Sequence, residues 1–311
     1  VNVHKNGPKE ETMRVIDIDP ELLRRNAQAT LHAGEEGIRH ALAEIDGRVP
    51  VIMETLAPEG PYGYTVRQDV RPDGTLKVQI QTTREEVHEE YKTVRGMCDV
   101  LTHQPVVDIR GAWYLFQEVV NQGCSKGSAV VNTNDTLILL PCRATKGITG
   151  EIFWYRVPRE TLGRGPKPAH MELDRRTLRL ENLAMHDRYL DALRKADVDG
   201  MLSLMNEDVQ LAVRDYVKET GTLTTPSTKA MYRDYWRSFF SKYEILSVDL
   251  LQRAMEEWYV FAELRLTLRR RKDDVRVAFH TAEFFIPAKD GLFIAQIGHG
   301  SDEAAMASER R

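Results

Sequence analysis

The chain has 311 residues, roughly twice the usual single-domain length, which predicts two domains of about 150 residues each. Hydrophobic residues make up 42% and Asp, Glu, Lys and Arg 29%, ordinary globular usage that excludes a disordered or collagen-like chain. No apolar run approaches the ~18 residues of a membrane span, residues 1–11 are polar, and the net charge of −4 is spread among scattered basic residues, so a soluble cytoplasmic protein without nucleic-acid or membrane partners is expected.

In chain order, residues 1–19 read as an N-terminal extension, and Glu21 to Ile45 as a helix broken or bent near Gly34 and Gly37. A short helix from Val49 to Leu56 follows. Tyr64 to Val70 and Leu76 to Thr82 flank Arg71-Pro72-Asp73-Gly74, a turn composition that predicts a hairpin. Arg84 to Cys98 repeats apolar residues at helical spacing, and three strands are expected at Val106–Asn121, Thr136–Arg143 and Gly150–Val157. Glycines, prolines and charges without periodicity between Pro158 and Arg179 mark a domain boundary, with residues 159–179 as linker.

The same order of elements then recurs. Helices are expected at Glu181–Lys195, at Val198–Met205 and from a Ser227 cap through Phe240, with a strand at Val209–Val217 and a turn-rich loop at Lys218–Pro226. Strands at Ile245–Met255, Trp258–Arg270, Val275–Pro287 and Leu292–His299 close the second half, and the basic run Arg269 to Lys272 reads as a solvated hairpin turn. Residues 20–158 and 180–300 are therefore read as two copies of one α+β module, with 301–311 as a tail. Trp258, Val260, Ala262, Leu264, Leu266 and Leu268 form an apolar sheet face that must be covered, and packing of one module's sheet on the other's is the expected cover.

The segment from Asp187 to Val209 carries an aromatic-bearing helix, an Ala196-Asp197-Val198-Asp199-Gly200 break, a short apolar helix and an Asp-Val lead into a strand. It resembles the opening of the nuclear transport factor 2-like superfamily, which includes SnoaL-like cyclases, ketosteroid isomerases and scytalone-type dehydratases. Residues 181–300 are covered by the resemblance. The first half is similar more faintly, through Ala43 to Gly47 and Ile52 to Pro58. The resemblance implies tandem cone-shaped α+β barrels, each a curved antiparallel sheet wrapped around helices and enclosing a pocket for one small apolar or aromatic molecule, with no cofactor. It also implies that Tyr189 takes the place of the isomerases' oxyanion-holding tyrosine. Their aspartate base then falls on Val213, beside Arg214 and Asp215, and their second acid near Ala282, two residues after His280; steroid isomerisation by their mechanism is not expected.

Enolisation, dehydration and retro-aldol cleavage each need a base and an oxygen-holding donor in a water-poor site. His186 and Tyr189 share a helix face, and His280 shares a strand face with Ala278, Ala282 and Phe284, so the three are catalytic candidates, with surface exposure or core packing as the plain alternatives. In the first half the candidates are His40 and Arg110 for catalysis and Tyr62, Tyr64, Tyr114 and Trp154 for substrate binding; Phe284 joins them from the second half. Glu118 follows Arg110 and Tyr114 on one strand face, and one ring of Trp154-Tyr155 is open to packing behind the sheet. Cys98, Cys124 and Cys142 have no CxxC spacing and read as buried thiols in a reducing compartment; nothing in the spacing gives a metal, nucleotide or phosphate site.

Two function classes remain open from sequence. One is a cofactor-independent lyase or isomerase acting by acid–base chemistry on a small aromatic compound, with deformylation of lignin-derived diarylpropanes as one named reaction and cyclisation or isomerisation of polyketide-like substrates as another. The other is a non-catalytic small-molecule-binding or dimerisation module. A homo-oligomer suits both.

Overall fold

The computed structural model describes residues 20–58, 64–143, 147–166, 174–214, 223–224 and 228–302. The first half runs α1 (Pro20–Ile45), α2 (Val49–Thr55), β1 (Tyr64–Val70), β2 (Leu76–Gln81), α3 (Arg84–Met97), β3 (Cys98–Arg110), β4 (Tyr114–Ser125), β5 (Asn132–Arg143), β6 (Gly147–Ile148) and β7 (Glu151–Tyr155). After a 3-10 turn at Arg159–Thr161, the second half runs α4 (Arg175–Arg194), α5 (Val198–Leu202), β8 (Met205–Arg214), β9 (Leu223–Thr224), α6 (Lys229–Lys242), β10 (Tyr243–Met255), β11 (Val260–Arg270), β12 (Val275–Pro287) and β13 (Phe293–Asp302).

Strand order shows the duplication. The first sheet is β2-β1-β7-β5-β4-β3, with β6 paired to β5, and the second, read from its far edge, is β9-β8-β13-β12-β11-β10. In each, the last strand of the module lies parallel to the first (β7 to β1, β13 to β8) and the other pairings are antiparallel. The fold is thus tandem α+β, two antiparallel sheets each packed on its own helices.

Three apolar clusters follow from this arrangement. One fills the first module between helices and sheet (Ile52, Met53, Val87, Leu115, Val119, Leu140) and one the second (Leu193, Met201, Leu211, Phe239, Leu264, Leu266). The third lies between the two sheets, where Phe116 stacks on Phe261 at 3.9 Å between centroids. Around these rings the segments Trp113-Tyr114-Leu115-Phe116-Gln117-Glu118 and Trp258-Tyr259-Val260-Phe261-Ala262-Glu263 lock reciprocally. Trp113 Nε1 and Tyr114 Oη donate to Glu263 at 3.3 and 2.9 Å, and Trp258 Nε1 and Tyr259 Oη donate to Glu118 at 3.3 and 2.9 Å. The sheets meet as expected, but by the other face of β11: Val260, Ala262, Leu264, Leu266 and Leu268 face the second module's own helices, while Trp258, Tyr259, Phe261 and Glu263 meet the first module.

Other differences have local causes. α1 runs unbroken through Gly34 and Gly37, because these glycines serve packing: a Cβ on Gly37 would stand 2.3 Å from Leu115 Cδ2. The expected single strand Val106–Asn121 is two, since β3 begins directly after α3 and a tight turn, Gly111 N–H to Tyr114 O at 2.9 Å, separates it from β4. α5 ends at Leu202 and β8 starts at Met205, earlier than apolar content alone indicates. Ser227 lies outside the described residues; Thr228 is the N-cap of α6, accepting from Met231 N–H at 3.2 Å. Arg269 and Arg270 end β11, so the turn before β12 spans residues 271–274. Cys142 is buried, whereas Cys98 and Cys124 are half-buried.

The start of the expected linker is a strap between the modules. Arg159 Nε donates to Ala288 O at 2.9 Å, Lys289 N–H to Leu162 O at 3.2 Å and Gly163 N–H to Gly74 O at 2.8 Å. Gly74, at φ +84, admits this approach, since a Cβ would lie 2.1 Å from Gly163 O. The end of that linker is helical from Arg175, with Asp174 accepting from Thr177 N–H at 3.0 Å.

Candidate active site

Each module holds a buried polar cluster between its helices and its sheet. In the first, α1 presents His40 and, one turn later, Glu44; α3 presents Tyr91 and Arg95 at the same one-turn spacing; the first residue of β7 is Glu151. His40, Tyr91 and Glu151 are each at most 2% exposed. Thr55 Oγ1 donates its single proton to Ile52 O at 2.6 Å, so it accepts from His40 Nδ1, also at 2.6 Å. His40 Nε2 then faces Glu151 Oε1 and Tyr91 Oη, both at 2.9 Å, and the Tyr91 hydroxyl donates to Glu151 Oε2. Burial alone would lower the His40 pKa, but the charge and hydrogen bond of Glu151, with the charge of Glu44, outweigh it and raise the pKa overall. Glu44 accepts from Arg95 Nη2 at 3.1 Å, and its carboxyl is pushed up by burial first and by the Glu151 charge second.

A cavity of about 220 Å³ opens beside this cluster, lined by Glu44, Tyr91, Arg95, His103, Phe153 and Tyr155 among others. Burial lowers the His103 pKa, against its bond to Gln117 at 3.3 Å. One ligand atom each from His40, Glu44 and Glu151 lies within 4.8 Å of the others, a grouping that sequence spacing did not reveal and that a single cation could reach. Arg95 pairs with Glu44, and the Glu151 charge is what raises the His40 pKa, so groups of the protein itself also offset the two carboxylates.

The second module's cluster is a chain of hydroxyl, amide and carboxyl groups. The Tyr232 hydroxyl donates to Gln296 Oε1 at 2.7 Å, and Gln296 Nε2 donates to Tyr189 Oη at 3.0 Å and to Glu283 Oε2 at 2.8 Å. Burial raises Glu283 to about 7 against the bonds from Gln296 and Thr281. His186 lies over Tyr189, with ring centroids 6.2 Å apart, and burial followed by the Arg253 charge drives its pKa down to about 3.

The expected convergence of His186, Tyr189 and His280 is half met. His186 and Tyr189 stack, but His280 is on the opposite face of the sheet, with Nδ1 3.4 Å from Glu263 Oε1. The cause is parity along β12: Ala282 and Phe284 face the other module, so Glu283, one position from the second acid expected near Ala282, faces the helices. Tyr114, Glu118, Trp154 and Phe284 likewise belong to the intermodule contact, and Trp154 packs edge-on against Phe284 at 6.1 Å; its neighbour Tyr155 points into the cavity wall. Arg110 sits at the surface, paired with Asp108 at 2.9 Å, away from His40. Tyr62 and Asp215 lie outside the described residues, as do the side chains of Tyr64, Val213 and Arg214.

The sequence reading missed Glu44, Tyr91, Arg95 and Glu151 around His40. The His40/Glu44 and Tyr91/Arg95 pairs at four-residue spacing were legible as two helix faces; Glu151 carried no local signal.

The SnoaL-like domain model matches residues 186–295. No curated relative matches the chain. Among solved structures, the chain is similar to a presumed polyketide cyclase from Xanthomonas campestris pv. campestris (14% identity, 43% of this chain and 99% of that one, TM-score 0.34). It is also similar to an LEH-like epoxide hydrolase from M. tuberculosis (16%, 42% and 89%, TM-score 0.33) and to a ketosteroid isomerase-like protein from Erwinia carotovora atroseptica SCRI1043 (13%, 40% and 95%, TM-score 0.32). No helix among the described residues is long and apolar enough to cross a membrane. Residues 186–295 match the SnoaL-like domain model, and the first module repeats the strand order of the module that contains them.

Proposed function

We propose that the protein is an enzyme that converts a small molecule by acid–base chemistry of its own side chains, and that the working site is the first module's cavity. The observation that carries this reading is the meeting of an open cavity with Glu44 and Tyr91 in its wall and the His40–Glu151 pair directly behind Tyr91. A buried carboxylate with a raised pKa is a stronger base than an exposed one. The Tyr91 hydroxyl, held between His40 and Glu151, is a donor for a developing oxyanion or a leaving hydroxyl once its proton turns from Glu151 toward the cavity.

Within this reading the reaction is a lyase step. Glu44 takes a proton from carbon and the C–H pair forms the new double bond; the Tyr91 hydroxyl turns its proton from Glu151 to the departing hydroxyl, which leaves as water, and His40 Nε2–H returns a proton to the tyrosine oxygen. Tyr91, Phe153 and Tyr155 favour an aromatic substrate. A cavity of about 220 Å³, smaller than pockets for drug-sized ligands, favours one ring over a two-ring lignin dimer.

The test is turnover of hydroxylated single-ring aromatics by full-length protein, with and without EDTA. Product formed in both conditions by the wild type, and lost in Glu44→Gln, supports the reading. Thermal stabilisation across the panel without turnover identifies a binding module instead, and activity lost in EDTA but restored by a divalent ion puts a metal at His40, Glu44 and Glu151.

A further inference from the structure

We infer that the first module's cavity selects a monoanionic carboxylate, seated with its carboxylate on Arg95 and its apolar part between Tyr91, Phe153 and Tyr155. This rests on the reading of that cavity as the working site, and it names the substrate class. Arg95 is nine-tenths buried by side chain. Only its Nη2 is engaged, by Glu44 at 3.1 Å; Nε and Nη1 are buried and have no hydrogen-bond partner among the described residues, yet the residue lines the cavity. Buried polar groups in folded proteins are ordinarily satisfied, so a guanidinium with idle donors beside an open cavity is a receptor for an acceptor that comes from outside. Guanidinium N–H groups match carboxylate oxygens in plane and charge.

The surroundings set the charge the ligand can carry. Glu44 and Asp99 line the same cavity, each already paired with a cation of its own, Arg95 and Lys126, so every added negative charge meets two carboxylates nearby and a monoanion is repelled less than a dianion such as a phosphate monoester. The second module offers an internal contrast. α3 and α6 are both 14 residues long, and the third residue from the end is Arg95 in one and Phe240 in the other. The cation is specific to the module that has the cavity and the His40–Glu151 pair.

The experiment compares benzoate with benzamide, equal in shape and different in charge, by calorimetry on full-length wild type and on Arg95→Gln and Arg95→Lys. Benzoate is expected to bind at least 10-fold more tightly than benzamide to the wild type. Arg95→Gln should remove the preference with benzamide affinity unchanged, and Arg95→Lys should retain part of it. The wild-type ratio needs no variant, so it decides even if Arg95→Gln fails to fold. Equal binding of the two probes, or a preference that survives in folded Arg95→Gln, overturns the carboxylate assignment and leaves the acid–base reading standing. Binding of neither probe overturns both.

Discussion

The two modules share a frame and differ in what they bury. The interval between the two Trp-Tyr-x-x-x-Glu segments also separates Tyr91 from Trp236 and Glu151 from Gln296, and His40 and Tyr189 stand the same distance from the ends of α1 and α4. At these matched places the first module has a histidine hydrogen-bonded to a carboxylate, and the second a tyrosine hydrogen-bonded to an amide. One pair can carry and move charge, whereas the other holds a fixed neutral geometry. The strand order is indifferent to that choice, so fold alone does not assign the chemistry to either copy.

The sharpest way to break this contrast is to neutralise the charged pair. Glu151→Gln, which gives the first module the second module's residue, is expected to lower turnover by about 100- to 10,000-fold with the Tm within a few degrees of wild type. Tyr189→Phe should change turnover less than about 3-fold if the second module only supports the first. A large loss in Tyr189→Phe with little in Glu151→Gln would move the working site to the second cone.

Next in size is the shared contact between the sheets. Phe116→Ala and Phe261→Ala each empty one side of the same stack and should each cost about 3–5 kcal/mol by urea unfolding, the two values agreeing closely. The double variant should cost less than their sum, because each removes the other's partner. Strongly unequal single values would show that the two-fold lock is symmetric in geometry but not in energy.

A third expectation uses a group that only the second module has. Glu283 titrates near its ordinary value of 4.5 when unfolded and at about 7 when folded. The folded state therefore keeps a proton that the unfolded chain sheds. Stability from this group is fully present below pH 4.5, is lost as pH rises toward 7, and is flat above; the loss is about 3 kcal/mol. His186, depressed to about 3 from 6.5, acts the other way, with stability present above pH 6.5 and lost on acidification toward 3. The measurement is thus the difference in unfolding free energy between wild type and Glu283→Gln across pH 4–8. A difference that does not change with pH would contradict burial of a protonated Glu283.

The smallest effect concerns the caps that set α3 and α6. Thr83 and Thr228 each accept from the N–H three residues on, and in α3 Glu86 also holds the Thr83 N–H, completing a capping box. Each Thr→Ala change should cost about 1 kcal/mol by thermal or urea melts, with Thr83→Ala no costlier than Thr228→Ala because Glu86 keeps its half of the box.

The sequence supported the module count, because helix, short helix, strand, helix and strand run recur in order and periodicity reports each element without reference to its partners. It was weaker wherever a side chain's direction decided the outcome. A strand changes face at every residue, so placing the second acid one position early put His280 and Phe284 in the cone and left Glu283 out. The repeated Trp-Tyr-x-x-x-Glu segments were in plain view, but their meaning is reciprocal: each glutamate serves the other copy's rings, a relation that appears only when the sheets are laid together. The first cluster draws on α1, α2, α3 and β7, and nothing local marks Glu151 as the partner of a histidine on α1.

Both sides of the intermodule contact belong to one polypeptide, which gives the strap at Arg159 to Gly163 a further consequence. In a dimer of identical chains every substitution appears twice, and dilution separates the halves. Here the neighbour's concentration is set by the length of chain between the modules and not by expression level, so the contact persists at any dilution. Each copy can also change alone. One can keep a rigid neutral interior and shore up the shared sheets while the other accumulates buried charge that two identical subunits would have to tolerate in both places.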